Sequence, residues 1–525
     1  MDLRKDESDG LLENDWYQET NGDQPADLSY TFEEALHETG YGCFHIYLLL
    51  LCGWAVSSDA IEVLCISFVL PSAEIDLNLS TNDKGWLTAI IFVGMLLGGY
   101  FWGSLADSYG RRSILLWSLT VNGLGGLLSS FAQRFGVFLL FRFISGIGVG
   151  GSIAVIFSYF VEFQPKDKRG TMISVLATFW MAGNIFAAGL AWAVIPHKFG
   201  YFSPSFIFDS WRVFVVLCTL PSFSSALMYI LMPESPKFLM QVGKEREALL
   251  VFQRMYCSNN RKTIPTDFRI RKLRDVSRHQ SDSDVQIIDV RNKPCGKFRA
   301  SAVKVLEHTA QLFQPGQKRI TLIVAMISFT LAFGYYGLWM WFPELFKRIE
   351  LHGGSACENI GVQPNGTNHS THEKGSSTEI FFDGFMTALS NLPGNLLSIL
   401  LMDRVGRKFL LSSSMVISGI SVFFIWFVKN KTESLIMSCI FGGISTIGWN
   451  ALDVLSVELF PTHLRSTAMG VMTGLMRVAA ILGNLAFGLM VDVHCAVPML
   501  LVAGFLAFGG LSSILLPNTV HMDLQ

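Results

Sequence analysis

The sequence predicts an all-α membrane protein of twelve spans arranged as two six-helix bundles, and three observations predict it. Half of the 525 residues are hydrophobic and only 16% are charged, where soluble domains carry roughly a quarter charged. The apolar residues gather into twelve runs, each near the ~20 residues that carry a helix across a hydrocarbon core. The chain also repeats itself. Gly103-Ser-Leu-Ala-Asp107-Ser-Tyr-Gly110-Arg111-Arg112, a tight turn between two apolar runs, returns as Asp403-Arg-Val-Gly406-Arg407-Lys408. Glu162-Phe-Gln-Pro165-Lys-Asp-Lys-Arg169 returns as Glu458-Leu-Phe-Pro461-Thr-His-Leu-Arg465. Both pairs are displaced by 296 residues, and two unrelated motifs sharing one offset imply a duplicated half.

Residues 1–42 hold twelve Asp or Glu against Arg4 and Lys5, a composition that solvates a tail and gives it no core to bury. Within it, Glu7-Ser-Asp-Gly-Leu11-Leu12 fits an acidic dileucine signal for sorting adaptors. Apolar periodicity begins only at Thr31–His37. Six spans follow at 43–70, 86–106, 114–131, 137–160, 172–195 and 213–232, forming a first bundle over 43–232. The polar segment 233–319 reads as a linker, with helical stretches near 244–256 and 298–312 around a Ser/Asp-rich patch at 277–284. A second bundle over 320–516 has spans at 320–342, 380–402, 409–428, 435–457, 467–491 and 497–516, and 517–525 is a short tail.

An even number of spans puts both termini on one side. Arg111, Arg112, Lys166, Lys168, Arg169, the linker, Arg404, Arg407 and Lys408 fall in loops of one parity, and the positive-inside rule makes that side cytoplasmic. The opposite loops carry the sequons at Asn78, Asn365, Asn368 and Asn430. Asn365 and Asn368, well inside the 343–379 loop, are the expected glycosylation acceptors. Cys357 and Cys495 also fall on this outer side.

No nucleophile–base pair, phosphate loop or metal-ligand spacing stands out, and none of the nine cysteines makes a Cys-x-x-Cys pair. An enzyme, a cofactor protein and a nucleic-acid binder are therefore not what the sequence describes. Its chemistry lies in ionisable residues within apolar spans, each costing about 3 kcal/mol unless paired or wetted. Asp59 and Glu62 share one helical face of the first span, and Asp453 lies one turn beyond Trp449 and Asn450 in the tenth. Arg142 opens Arg142-x-x-x-Gly146-x-Gly148-x-Gly150. It either snorkels toward the outer surface or belongs to a helix-packing stripe. Arg477 is deep enough to reach one of the carboxylates. Trp180, Tyr335, Tyr336 and Trp449 add aromatic faces within spans, any one of which alone is packing more often than ligand contact, whereas Trp449 beside Asp453 suits a cationic or amphipathic solute. In the repeated turn, Asp107 and Arg111 are expected to pair with a helix end of the other half when the cytoplasmic side closes. Gly103 permits close approach there, a role its counterpart Ile399 does not share.

Gly103–Arg112 resembles the loop motif of the major facilitator superfamily, and Pro233-Glu234-Ser235-Pro236-Lys237-Phe238 resembles its organic-ion and sugar transporter branch. Phe68-Val-Leu-Pro-Ser-Ala-Glu74, Gly150-Gly-Ser-Ile153, Phe157-Ser-Tyr-Phe160, Ser210-Trp-Arg-Val-Phe214 and Trp449-Asn-Ala-Leu-Asp-Val-Leu455 resemble the synaptic vesicle glycoprotein 2 family. This resemblance implies the major facilitator fold. It also implies a central pocket lined by Trp180, Tyr336, Trp449 and Asp453, intramembrane charges at Asp59 and Glu62, and residence in a secretory or synaptic vesicle membrane. The loop over 343–379 is short where that family carries a large luminal domain, so neurotoxin binding is not carried over, and loop length is closer to the synaptic vesicle 2-related proteins.

Two functions follow. The first is a secondary transporter of a small organic solute (an organic ion or a sugar-like molecule), working by alternating access with proton or cation coupling through Asp59, Glu62 or Asp453. The second is a non-transporting vesicle protein that binds a ligand in the same pocket and regulates exocytosis. Intact turn motifs favour the transporter.

Overall fold

The computed structural model describes residues 30–197, 199–203, 206–260, 268–273, 307, 309–352, 373–427, 430–493 and 496–517. Leu11, Leu12, Asn365, Asn368, Cys357, Cys495 and the 277–284 patch lie outside the described residues.

A short helix, α1 (Phe32–Glu38), precedes the first half. It starts where Thr31 and Glu34 form a reciprocal capping box, satisfying two backbone donors that a helix start leaves open. The six spans of this half are α2 (Cys43–Ala73), α3 (Thr81–Tyr109), α4 (Arg111–Ser130), α5 (Phe135–Val161), α6 (Arg169–Val194) and α7 (Ser210–Ile230). A two-stranded hairpin of β1 (Tyr201–Ser203) and β2 (Phe206–Phe208) separates the last two. The linker contributes α8 (Pro236–Gln241) and α9 (Glu245–Asn259). The second half contains α10 (Lys318–Trp339), α11 (Phe342–His352), α12 (Glu373–Leu389), α13 (Asn391–Val405), α14 (Arg407–Phe427), α15 (Lys431–Leu459), α16 (Thr462–Met490) and α17 (Ala496–Ser513). Twelve helices among the described residues are long and apolar enough to cross a membrane.

Two details differ from expectation. The segment at 343–379 begins and ends in helix, because α11 continues from α10 after a turn at Met340–Trp341 and α12 starts at Glu373. The eighth span is broken at Ser390 into α12 and α13.

Large apolar side chains such as Trp117, Phe101, Leu400 and Phe409 are exposed on the outside of the bundles, as a lipid-facing surface requires. Between helices the packing runs through glycine. Gly94 and Gly98 of α3 press on the backbone of α5, and Gly146 and Gly150 of α5 press back on Ile91 and Met95. Gly148 presses on Asn122 and Ser118 of α4. The stripe read at 142–150 thus brings two neighbours against α5, where apolar driving force between helices is absent and close backbone approach provides the attraction. Across the halves, Gly85 of α3 meets Gly488 of α16 in the same manner.

The duplication is visible in geometry. Gly110 and Gly406 take φ of 94° and 93°, the region that favours glycine, and each ends one span and starts the next. Arg111 pairs with Glu162 at 3.3 Å and Arg407 with Glu458 at 2.5 Å. Arg169 donates to the carbonyl of Gln164 at 2.9 Å and Arg465 to that of Phe460 at 3.5 Å. Every one of these pairs of equivalents is separated by the 296-residue offset.

Candidate functional site

The basic turns define one face of the molecule, and the outer ends of the spans, with Asn78 and Asn430, define the opposite one. The site lies between them, and the sequon face is where the halves meet. Lys84, in the first turn of α3, pairs with Glu344 of α11 at 2.7 Å and with Glu74 at 3.0 Å. Lys84 and Glu344 are only 1% and 3% exposed, so each is the other's replacement for water. Lys347 adds a pair with Glu74 at 2.5 Å and a bond to the Pro71 carbonyl at 3.0 Å. Arg348 links Glu344 and Asp492. Burial works against ionisation of Glu74 and Asp492. It is outweighed at Glu74 by bonds and charge from Lys347 and Lys84, and at Asp492 by Thr81 and Arg348, so both carboxyls sit below their ordinary range. Every ion pair between described residues of opposite halves lies in this cluster.

On the basic face the turn motifs pair within their own halves. Arg111 holds Glu162 and Asp107, each at 3.3 Å, with its guanidinium over the Phe238 ring. The expected bond from Asp107 and Arg111 to the other half is therefore not made. Arg112 is tied to the linker side instead, its backbone N–H to Glu234 and its side chain to the carbonyls of Tyr229 and Ile230. The Pro233–Phe238 motif closes this arrangement, since Glu234 also accepts from the Ser235 N–H and Ser235 caps α8. Burial pushes the Glu162 carboxyl up, with Ser235 and Arg111 opposing. Gly103 and Gly470 face open space, so nothing fills the place where Gly103 was expected to admit a partner. The side chain of Asp403 lies outside the described residues, and Lys408 is half-exposed.

Beneath the sequon-face cluster, Trp180 and Asn184 of α6, Val63 and Leu64 of α2, and Tyr335, Tyr336, Trp339 and Met340 line a small cavity. Tyr335 stacks on Trp339 with centroids 5.3 Å apart, and Trp449 contacts both tyrosines at 5.8 Å. Asn450 bonds Asn395 at 2.7 Å, tying α15 to α13. One turn beyond Trp449, Asp453 is exposed although it sits inside a span. The aromatic residues are thus brought to one place, while Asp453 is not among the residues that line the cavity.

Nor are Asp59 and Glu62. They face into the first half, fully buried. Glu62 pairs with Arg142 at 2.5 Å and accepts from Ser145 at 2.7 Å. Asp59 accepts from Ser152 at 2.7 Å and from Asn122 at 3.4 Å. Asn122 also accepts from Ser145 at 3.0 Å, making the two carboxylates ends of one polar chain. The pocket placement inferred for them is corrected by this wall of partners, and Arg142 is a buried ion-pair partner that does not snorkel. The sequence signal was present in Ser145 and Ser152, which lie three and ten positions after Arg142 on the same helix. The Lys84–Glu344 pair had no such signal. Lys84 sits at a span boundary, and Glu344 in a stretch read as loop.

The comparisons agree with this architecture. Residues 54–354 match the family model described as sugar (and other) transporter, and 369–523 match the major facilitator superfamily model. Synaptic vesicle glycoprotein 2C of Homo sapiens is 34% identical over 94% of this chain and 81% of its own length. Synaptic vesicle glycoprotein 2B of Mus musculus is 33% identical over 95% and 87%. The xylose transporter XylE from E. coli in a partially occluded inward open conformation superposes with a TM-score of 0.66 and 16% identity, covering 91% of this chain and 99% of its own. Its inward open conformation gives 0.63 at 17% identity, covering 91% and 98%.

Proposed function

We infer that this chain, which belongs to the major facilitator superfamily and within it to the synaptic vesicle glycoprotein 2 family, is a secondary transporter of a small organic solute that works by alternating access. The observation that carries this reading is an aromatic cavity lined by both halves under a face locked by ion pairs, with Asp453 one turn beyond Trp449 in a span and without a partner among the described residues. Such a site opens to one side at a time, as the mechanism demands. The basic loops support a cytoplasmic assignment for the open side and for both termini, and the family supports a secretory or synaptic vesicle membrane. The Glu62–Arg142 pair and its polar chain to Asp59 suit proton coupling, because a carboxylate that loses its proton there has a cation and hydroxyls in place.

The test is a thermal-shift screen of purified protein against sugars, organic cations and organic anions, beside Asp453→Asn and Trp449→Ala. A solute that binds the folded state raises its melting temperature by mass action. A hit lost in both variants, then accumulated in proteoliposomes with an imposed pH gradient, supports transport. A hit that binds but is never accumulated supports the regulatory reading instead.

A further inference from the structure

The 296-residue repeat fails at one place on the sequon face. Val194, the last residue of α6, has its counterpart in Met490, the last of α16. Ser210, which starts α7, would fall at position 506, yet α17 begins at Ala496. The first half is therefore ten residues longer between its fifth and sixth spans, and the added stretch holds the β1–β2 hairpin. Five of the ten residues from 199 to 208 are aromatic and none is charged. The hairpin is pinned to the bundle. Gln133, in the turn from α4 to α5, donates to the Ile207 carbonyl at 3.0 Å and accepts from the Ile207 N–H at 3.2 Å, which holds β2 at the depth where those spans end. Tyr201 lies opposite Phe208 in the ladder, so their side chains share a face, and Phe206, two residues along, shares it too. The Phe206 and Phe208 rings stack at 6.2 Å, and Phe208 stacks on Phe131 at 5.4 Å. Phe131 closes the exposed row of Trp117, Leu124 and Leu128 on the outside of α4. That lipid-facing row thus runs onto the hairpin and ends at Tyr201, 65% exposed.

We propose that the β1–β2 hairpin is an interfacial anchor, its aromatic face of Phe131, Tyr201, Phe206 and Phe208 lying in the headgroup region of the leaflet on the sequon side, with lipid as its partner. Three features favour lipid. The face continues a row that already meets hydrocarbon, so there is no boundary at which another partner would begin. It lies level with the ends of two spans, the depth at which aromatic side chains gather in membrane proteins. A tyrosine stands at its far end, and a phenol suits that depth because its ring is apolar and its hydroxyl stays wet. The stretch also offers a soluble partner no charge to pair with. The consequence is an asymmetry between the halves. The anchor fixes the outer ends of α6 and α7 at one depth, and α6 carries Trp180 and Asn184 of the cavity wall. The second half has no added stretch between α16 and α17 to hold it in the same way. The proposal stands whatever the cavity binds and whether or not the protein transports.

The experiment places a bimane fluorophore on Tyr201→Cys in full-length protein reconstituted into phosphatidylcholine vesicles. Leu128→Cys, on the exposed row of α4, is the lipid reference. Lys244→Cys, exposed just before α9, is the water reference. Unsubstituted protein carried through the same labelling gives the background from its own cysteines. Two quenchers are compared: phosphatidylcholine with a nitroxide high on its acyl chain, and iodide present on both sides of the vesicles. Bimane at 201 is expected to emit at shorter wavelength than at 244, to lose emission to the nitroxide lipid as the label at 128 does, and to be spared by iodide. Loss to iodide without loss to the nitroxide lipid would put the face in water and overturn the proposal. Loss to neither would mean that protein covers the face, a second copy or another segment of the chain, and would overturn it as well. If Tyr201→Cys does not fold, Phe199→Cys, 43% exposed at the start of the same stretch, carries the label and is read by the same outcomes.

Discussion

On the basic face the two halves are near copies, and at mid-membrane they have parted. Gly110 and Gly406, Arg111–Glu162 and Arg407–Glu458, and Arg169 and Arg465 match in backbone angle and partner. Deeper in, the first half keeps Asp59, Glu62 and Arg142 buried inside its own helix packing, each with a partner there. The second half leaves Asp453 without a partner among the described residues, and the position of Arg142 displaced by 296 is Ser438. The difference teaches that duplication preserved the turns, which both halves need to join spans, and released the interior, where one half specialised in a closed charge network and the other in an open pocket.

The comparison breaks first at Arg142. Arg142→Ala leaves Glu62 ionisable, buried and unpaired, and a broken buried pair typically costs about 3–5 kcal/mol. Thermal unfolding in detergent should show a large fall or loss of folded protein, and a melting temperature unchanged from wild type would mean the network is not structural. The Lys84–Glu344 pair sharpens it from the other side. Lys84→Met should free the sequon face, so that a single cysteine introduced near Tyr336 becomes accessible to a membrane-impermeant thiol reagent from that side. Unchanged labelling would show that the face is held by the Gly85–Gly488 contact and not by charge.

The duplicated turns should respond in proportion to burial. Arg111→Ala is expected to shift the balance between the two accessible states more than Arg407→Ala, because the Arg111 side chain is 10% exposed and that of Arg407 26%. Cysteine labelling from each face reads this. Equal shifts would mean that the copies are interchangeable. A smaller effect concerns Asp209, just before α7. Burial first, then the hydrogen bond and charge of Asp76, push its carboxyl up to about 7, with Arg212 opposing. Folding therefore favours the protonated form. This group's contribution is intact below the usual carboxylate range near pH 4 and is lost as pH rises toward 7. The difference in melting temperature between Asp209→Asn and wild type should grow across that window in favour of the variant, and a flat difference would remove the assignment. Smallest of all, Asp453→Asn should leave the melting temperature within about 2 °C, since an exposed carboxylate without partners holds nothing together.

Much of the fold could be read directly. The twelve apolar runs and the 296-residue offset are local properties, fixed by what a bilayer demands of any helix and by an inherited repeat. Glycine at 110 and 406 follows from the same local logic, since a span that ends in a left-handed residue needs no information from elsewhere. The candidate site was legible only in part. Trp449 and Asp453 lie one turn apart on one helix, so their proximity was written in spacing. Asp59 and Glu62 lie equally close on α2, yet spacing says only that they share a face and not which neighbour that face meets. The approach of α4 and α5, set by Gly125 and Gly148, with Gly126 against Glu62, turned that face inward and supplied Arg142, Ser145 and Asn122.

The sequence by itself determined how many times the chain crosses, where its turns fall and which residues are too polar to meet lipid. The tertiary structure alone decided which of those polar residues answer one another. A charge in a low-dielectric interior is costly until a partner arrives, and the buried partners of Glu62 and Lys84, Arg142 and Glu344, come from helices 80 and 260 residues along the chain.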